Sequence, residues 1–352
     1  MKKVLVRVIF FLSLLSLLLA GCTGAMTATS WPGISSNGSK VFVAYGAQVY
    51  AVSPDNGNFF WKYPEKANNA VSFYATPGIT SDGQVIVCNY KGEVVSLNPE
   101  TGAEKWKYAT TDKIVADPVI DGNTIYVASA DYALYAIHTD GTLAWKFTTG
   151  NHLWSKPLLG KDVVYQVSMD HKLYAIDTAS GKQNWAVELG SASLGSPVMD
   201  VNGILYVSTL GKEILAIDPS SKKIAWKYQA ADSIWSGVTE KDGNLYFGDL
   251  SGNFVALSTS TRQPVWQYKA TAAIINVPLL TDTSIFFTSE NGLLTALDYS
   301  GKVVSSVQVS EKLYAPPVKV GDLVMVGISD GKDNIFSAVK NGGIAWSFQA
   351  PK

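Results

Sequence analysis

Histidine and cysteine are nearly missing from this chain: three His, at 138, 152 and 171, and two Cys, at 22 and 88, among 352 residues. The histidines share no metal-ligand spacing. Two cysteines make no disulfide framework. A Gly-x-Ser-x-Gly elbow and a phosphate-cradling glycine loop are both absent, which removes the simplest signatures of acyl and phosphoryl transfer. Charged residues are only 16% of the chain and sum to a net −1. That balance offers no excess of positive charge for nucleic acid or an anionic lipid surface. Stability has to come from burial, and a chain that is 47% hydrophobic has ample material for it.

What the chain does have is a repeat. Tryptophans at 61, 106, 145, 185, 226, 266 and 346 stand 45, 39, 40, 41, 40 and then 80 residues apart. Ser305 occupies the place of the missing beat, so a unit of about 40 residues occurs eight times between residues 30 and 350, once in degraded form. The third unit shows the content. An apolar run at Asp117-Pro118-Val119-Ile120 and an Asp121-Gly122-Asn123 turn lead into Thr124 to Ser129, then Leu134 to Ile137, a turn at Asp140-Gly141, and Leu143 to Phe147. Four short β-branched and aromatic runs divided by turn residues make a four-stranded antiparallel sheet. Eight such sheets predict an all-β protein, an eight-bladed β-propeller.

The first turn recurs as Asn37-Gly38, Asp82-Gly83, Asp121-Gly122, Asn202-Gly203 and Asp242-Gly243, residue types that tolerate positive φ in two-residue hairpins. Blades are expected at 30–65, 72–110, 113–149, 152–189, 192–230, 233–269, 272–310 and 313–350. Closure into a ring protects the sheet faces at both chain ends, which an open stack would leave wet. Both ends hold complete blades, so no spare strand is expected to clasp the ring.

The third and fourth strands carry a more specific pattern. Ala51-x-Ser53-x-x-x-Gly57-x-x-x-Trp61 and Ala175-x-Asp177-x-x-x-Gly181-x-x-x-Trp185 resemble the tryptophan-docking motif of quinoprotein-type (PQQ-like) propeller repeats, and the resemblance extends over all eight blades. It implies that Trp61, Trp106, Trp145, Trp185, Trp226, Trp266 and Trp346 each lock a blade to its neighbour. Regular spacing around a ring is what packing needs, rather than one cofactor box. Some units depart from the pattern: Lys222 and Arg262 stand at the glycine position, where a bulky residue is costly at positive φ. The seventh blade keeps Ala296, Asp298 and Gly301 but offers Ser305, and the eighth is two residues short between Ala338 and Trp346.

The front of the chain differs in kind. A basic start at Lys2, Lys3 and Arg7 precedes an apolar run from Val8 to Leu19, too short for a comfortable membrane span and laid out like a secretory signal. Leu19-Ala20-Gly21-Cys22 resembles a bacterial lipobox, which implies cleavage of a signal peptide at 1–21 and lipidation of Cys22. Residues 22–29 would then be a tether of eight steps to Ser30, ~26–29 Å at full extension. The mature chain would carry 25 basic against 29 acidic residues, a net −4. Cys88, in the run Val85-Ile86-Val87-Cys88, reads as a small buried apolar residue with no disulfide partner left. Thr23 rather than Asp after the lipidated Cys implies the outer membrane, on its periplasmic side, in an organism with two membranes, and otherwise the outer face of the plasma membrane.

A candidate binding surface comes from aligning blades on the first-strand Pro. Three residues back lie Tyr74, Val115, Trp154, Leu194, Trp235, Ile275 and Tyr314, with Val238 in the Pro place after Trp235. Aromatics fall on alternate blades, and the next position inward is small in most, as at Ala75, Ala116, Ser155 and Ala315. Tyr74, Trp154, Trp235 and Tyr314 are therefore predicted to form an aromatic rim over a narrow channel, able to grip an apolar or extended peptide segment. Packing around the funnel is the alternative. The chain enters the first blade at the same centre, so the tether would either cover the rim or turn it toward the membrane.

Relatives of this repeat include dehydrogenases that bind pyrroloquinoline quinone and calcium, so an enzyme of that kind is the competing functional class. The chain lacks the adjacent Cys-Cys pair and the long insertions of such enzymes. Asp330-Gly331-Lys332-Asp333-Asn334 is more simply a solvated hairpin than a cation loop. No cofactor, metal site or catalytic residue is expected. The lipid anchor, the eight blades and the repeat together resemble the propeller lipoprotein subunit of the outer-membrane β-barrel assembly machine. That resemblance implies a monomeric, noncatalytic scaffold for envelope proteins.

Overall fold

The computed structural model describes residues 31–68, 70–329 and 333–351. Among them all regular structure is β, arranged as eight four-stranded antiparallel sheets. The blades span 33–63, 78–109, 119–148, 158–188, 198–229, 239–269, 279–308 and 318–349. Each fits within the span expected from the repeat. The signal peptide, Cys22, the tether and Ser30 lie outside the described residues, as do Asp330, Gly331 and Lys332.

Position within a blade follows from the side-chain pattern. First strands are short, as at Gly78–Ile79 and Leu158–Leu159. Second and third strands are apolar on both faces because both are covered by neighbouring blades, as in Val85–Cys88 and Leu293–Leu297. Outer strands such as Leu143–Thr148 alternate between a half-buried and an exposed side, with one sheet edge open to water.

Buried apolar side chains fall into eight clusters, one at each blade boundary. The cluster closing the ring joins Ile34, Val43 and Tyr50 of blade 1 to Met325, Phe336 and Phe348 of blade 8. Every blade is built from four consecutive strands, so closure rests on side-chain packing and not on a shared sheet.

The tryptophans sit across these boundaries. Each pairs in register with the small residue of its own blade, as Ala51 with Trp61 and Ser96 with Trp106. Its indole then covers a glycine of the following blade: Trp61 covers Gly102, Trp106 Gly141, Trp145 Gly181 and Trp266 Gly301. A Cβ added at Gly102 would lie 2.6 Å from the Trp61 ring, and its φ is +71°. Both facts demand glycine there. The indole N–H of Trp61, Trp106, Trp145 and Trp266 donates to the backbone carbonyl of Pro99, Thr139, Thr178 and Tyr299, at 2.8–3.0 Å.

Trp346 closes the ring by covering Gly57 of blade 1, although its buried Nε1 has no acceptor. Where glycine is missing, Lys222 and Arg262 still take positive φ, at 57° and 61°. The Arg262 guanidinium lies 5.9 Å from the Trp226 ring centre, and Trp185 packs on Tyr165 at 5.8 Å. The turn geometry is thus kept without glycine, at a local backbone cost.

Candidate functional site

In each blade the chain drops from the loop after the previous outer strand into the first strand, so residues just before that strand ring the mouth of the channel. Their burial alternates. Phe73, Ala75 and Pro77 are buried while Tyr74 and Thr76 are partly open, and the same rhythm holds at Leu153, Ser155 and Pro157 against Trp154 and Lys156. Extended backbone with period two explains it: one side meets the blade core and the other the channel.

The four predicted rim aromatics all lie on this open side, but not as four equivalent posts. Tyr74 and Tyr314 are joined through Trp31, whose ring centre is 5.4 Å from Tyr74 and 6.5 Å from Tyr314. Tyr74 continues to Tyr90, again 5.4 Å away, and the Lys113 ammonium lies 5.1 Å from the Tyr90 ring centre. On the fourth blade Trp154 stacks on His152 at 5.8 Å, and His152 meets Tyr132 edge-on at 4.7 Å. Trp235 has no aromatic neighbour among the described residues. Trp31, Trp154 and Trp235 are 44%, 40% and 46% exposed.

Trp31 escaped the sequence reading for a definite reason. It stands directly before Pro32, whereas Tyr74, Trp154 and Tyr314 each stand three residues before a Pro. Its ring nevertheless sits in the mouth between blades 2 and 8. Burial pushes the Tyr74 hydroxyl pKa up, with a further contribution from Tyr90.

One layer deeper come Thr76, Asp117 and Lys156. An Asp117 carboxylate oxygen accepts the Thr76 backbone N–H at 2.6 Å. Burial raises the Asp117 pKa, against the Thr76 hydrogen bonds and the nearby Lys156 charge, which favour the ionised form. A single buried carboxylate held by a backbone amide is not the two-carboxylate arrangement of acid–base catalysis. Among the described residues no group of three or more His, Cys, Asp or Glu is placed to hold a metal ion.

A planar quinone needs a parallel pair of faces to lie between. Tyr74 and Tyr314 instead meet Trp31 nearly edge-on, at 71° and 73°, and the near-parallel pair, His152 and Trp154, lies ring on ring at 5.8 Å. Those residues do not fit the group.

The fold and this mouth define the class: a closed eight-bladed propeller of PQQ-like repeats with an aromatic rim. The family described as outer membrane protein assembly factor BamB (PQQ_2) matches residues 45–155, 140–273 and 233–349, and the chain belongs to that family. No curated protein matches it. Among solved structures it is similar to BamB from Moraxella catarrhalis, at 18% identity and a TM-score of 0.74 over 87% of this chain and 93% of that one. It is also similar to the computationally designed Ika8 protein, at 12% identity and a TM-score of 0.75 over 92% and 98% of the two chains. Likenesses at these identities show the fold alone.

Proposed function

We propose that this chain is a noncatalytic, membrane-anchored scaffold of the cell envelope that binds proteins through its aromatic rim and serves outer-membrane protein assembly. The observation that carries the reading is the gathering of exposed Trp31, Trp154 and Trp235, with Tyr74 and Tyr314, around one mouth of the disc. Large, stiff aromatic side chains give contact area at low entropic cost, and they dominate protein-binding hot spots. The ligand is an extended or apolar segment of an envelope partner, laid over the rim.

Membership of the BamB family supports the assembly role. The secretory-type segment at 1–21 and the lipobox ending in Cys22 support export and lipid anchoring, on the periplasmic side of an outer membrane.

A photocrosslinker placed at Trp154 or Trp235 in intact cells tests the rim. Envelope proteins should be captured there. Capture from Val201 on the opposite face, with none from the rim, would remove it.

A further inference from the structure

Ten tryptophans divide cleanly by position. Seven lie at blade boundaries, and the other three, Trp31, Trp154 and Trp235, are the exposed ones. All three sit on the face that carries the channel mouth and the hairpins between second and third strands. Exposed Tyr90 and Tyr132 belong to those hairpins. The opposite face is made of turns such as Asn37-Gly38, Asp140-Gly141 and Ser220-Ser221; the large hydrophobes exposed at or beside these turns, such as Val201, Phe59, Leu143 and Ile344, include no Trp or Tyr among the described residues.

The described chain also begins on the aromatic face, and at its centre. Trp31, the first described residue, lies between Tyr74 and Tyr314, in the mouth and not at the edge of the disc. From Cys22 to Trp31 is nine residue steps, at most ~30–32 Å of chain. To turn the opposite face to a bilayer, that chain would first cross the radius of a blade. Three strand spacings make this ~14 Å. It would then descend an outer strand of ~17–20 Å. The two together use the whole tether before any lipid is reached. Leaving the mouth directly toward the bilayer uses almost none of it.

From this we infer that the aromatic face rests on the bilayer surface, with the Trp31, Trp154 and Trp235 rings at the level of the lipid headgroups. Tryptophan and tyrosine suit that layer because an apolar ring and a polar tip can each find its own medium. The inference rests on the membrane-anchored reading above and adds which way the disc faces. A partner segment taken by the rim is then one lying at the membrane surface.

The test uses intrinsic fluorescence. The full chain is made in a bacterium that processes lipoproteins and is reconstituted into phosphatidylcholine vesicles brominated near the headgroup end of the acyl chains. Bromine should quench part of the emission, and the double substitution Trp154→Phe with Trp235→Phe should remove most of the quenchable part. The boundary tryptophans report in the same spectrum that the fold is intact. A vesicle-bound chain whose emission ignores bromine overturns the orientation alone. A chain that does not float with the vesicles overturns the anchored reading, and the orientation with it.

Discussion

Blade 7 meets its two neighbours in opposite ways. Toward blade 6 it offers Gly301 to the Trp266 indole, Tyr299 supplies the carbonyl for that indole, and Phe287 stacks on Phe254 at 4.4 Å. Toward blade 8 it offers Ser305. The buried cluster there is aliphatic throughout, Leu294, Leu313, Val324, Val326, Ile328 and Val339. Two clefts of about 560 and 400 Å³ flank this seam, one lined by Gln308, Ser310 and Asn334 and the other by Asp282, Phe286 and Asn341.

The ring still closes, because the blade 8 turn has shortened in step with the lost indole. A Cβ on Gly342 would stand 3.4 Å from Ser305, ordinary packing distance. One staple is therefore dispensable when its partner turn moves in.

Chemical-denaturation midpoints of single variants sharpen this contrast. Trp266→Ala should destabilise the most, by ~3–5 kcal/mol, since it opens a cavity and strands the Tyr299 carbonyl. Gly301→Ala should cost ~2–3 kcal/mol, from a 2.7 Å clash with Trp266 on top of a φ of +85°. At the unstapled seam Gly342→Ala should cost only ~1 kcal/mol, the backbone term by itself. Equal losses at the two glycines would show that the indole contact contributes nothing.

Ser305→Trp is the sharper probe. If the seam has closed around Ser305, restoring the repeat's own tryptophan should destabilise by ~1–3 kcal/mol through overpacking. A gain would show that space for the ring was kept. Lys222→Gly should stabilise by up to ~1 kcal/mol, because a non-glycine residue at a φ of 57° loses its strain. Arg262→Gly should gain less, since Arg262 also contacts the Trp226 ring.

The smallest effect concerns pH. Hydrogen bonds from Lys212, Ser251 and the Ser233 amide hold the Asp232 carboxyl down at about 2. A depressed folded pKa means the contribution is present above the unfolded value near 4 and fades as pH falls from there toward 2. Asp232→Asn should flatten the acid limb of the stability curve over that window, measured by thermal unfolding at stepped pH. An unchanged limb would assign the acid sensitivity elsewhere.

Blade count, blade limits and tryptophan positions were legible in the sequence because each blade repeats the same local problem, and repetition makes the signal additive. Gly141 illustrates it: the unit is one residue short, yet the turn still places a glycine under Trp106. The rim was only partly legible. Tyr74, Trp154 and Tyr314 could be aligned on Pro, and Trp235 on Val238 in the same place, since they share one strand position. Trp31 and His152 could not, because Trp31 falls out of register and His152 enters through stacking between positions that no alignment compares.

By itself, then, the order of residues determined an all-β chain of eight four-stranded units, since periodicity and turn chemistry act within some 40 residues. Tertiary structure decided which blade's glycine each indole covers, how blade 8 compensates for Ser305, and that Trp31 joins Tyr74 to Tyr314 in the mouth. Those contacts link residues that meet only when the ring closes, and closure depends on the summed geometry of all eight blades.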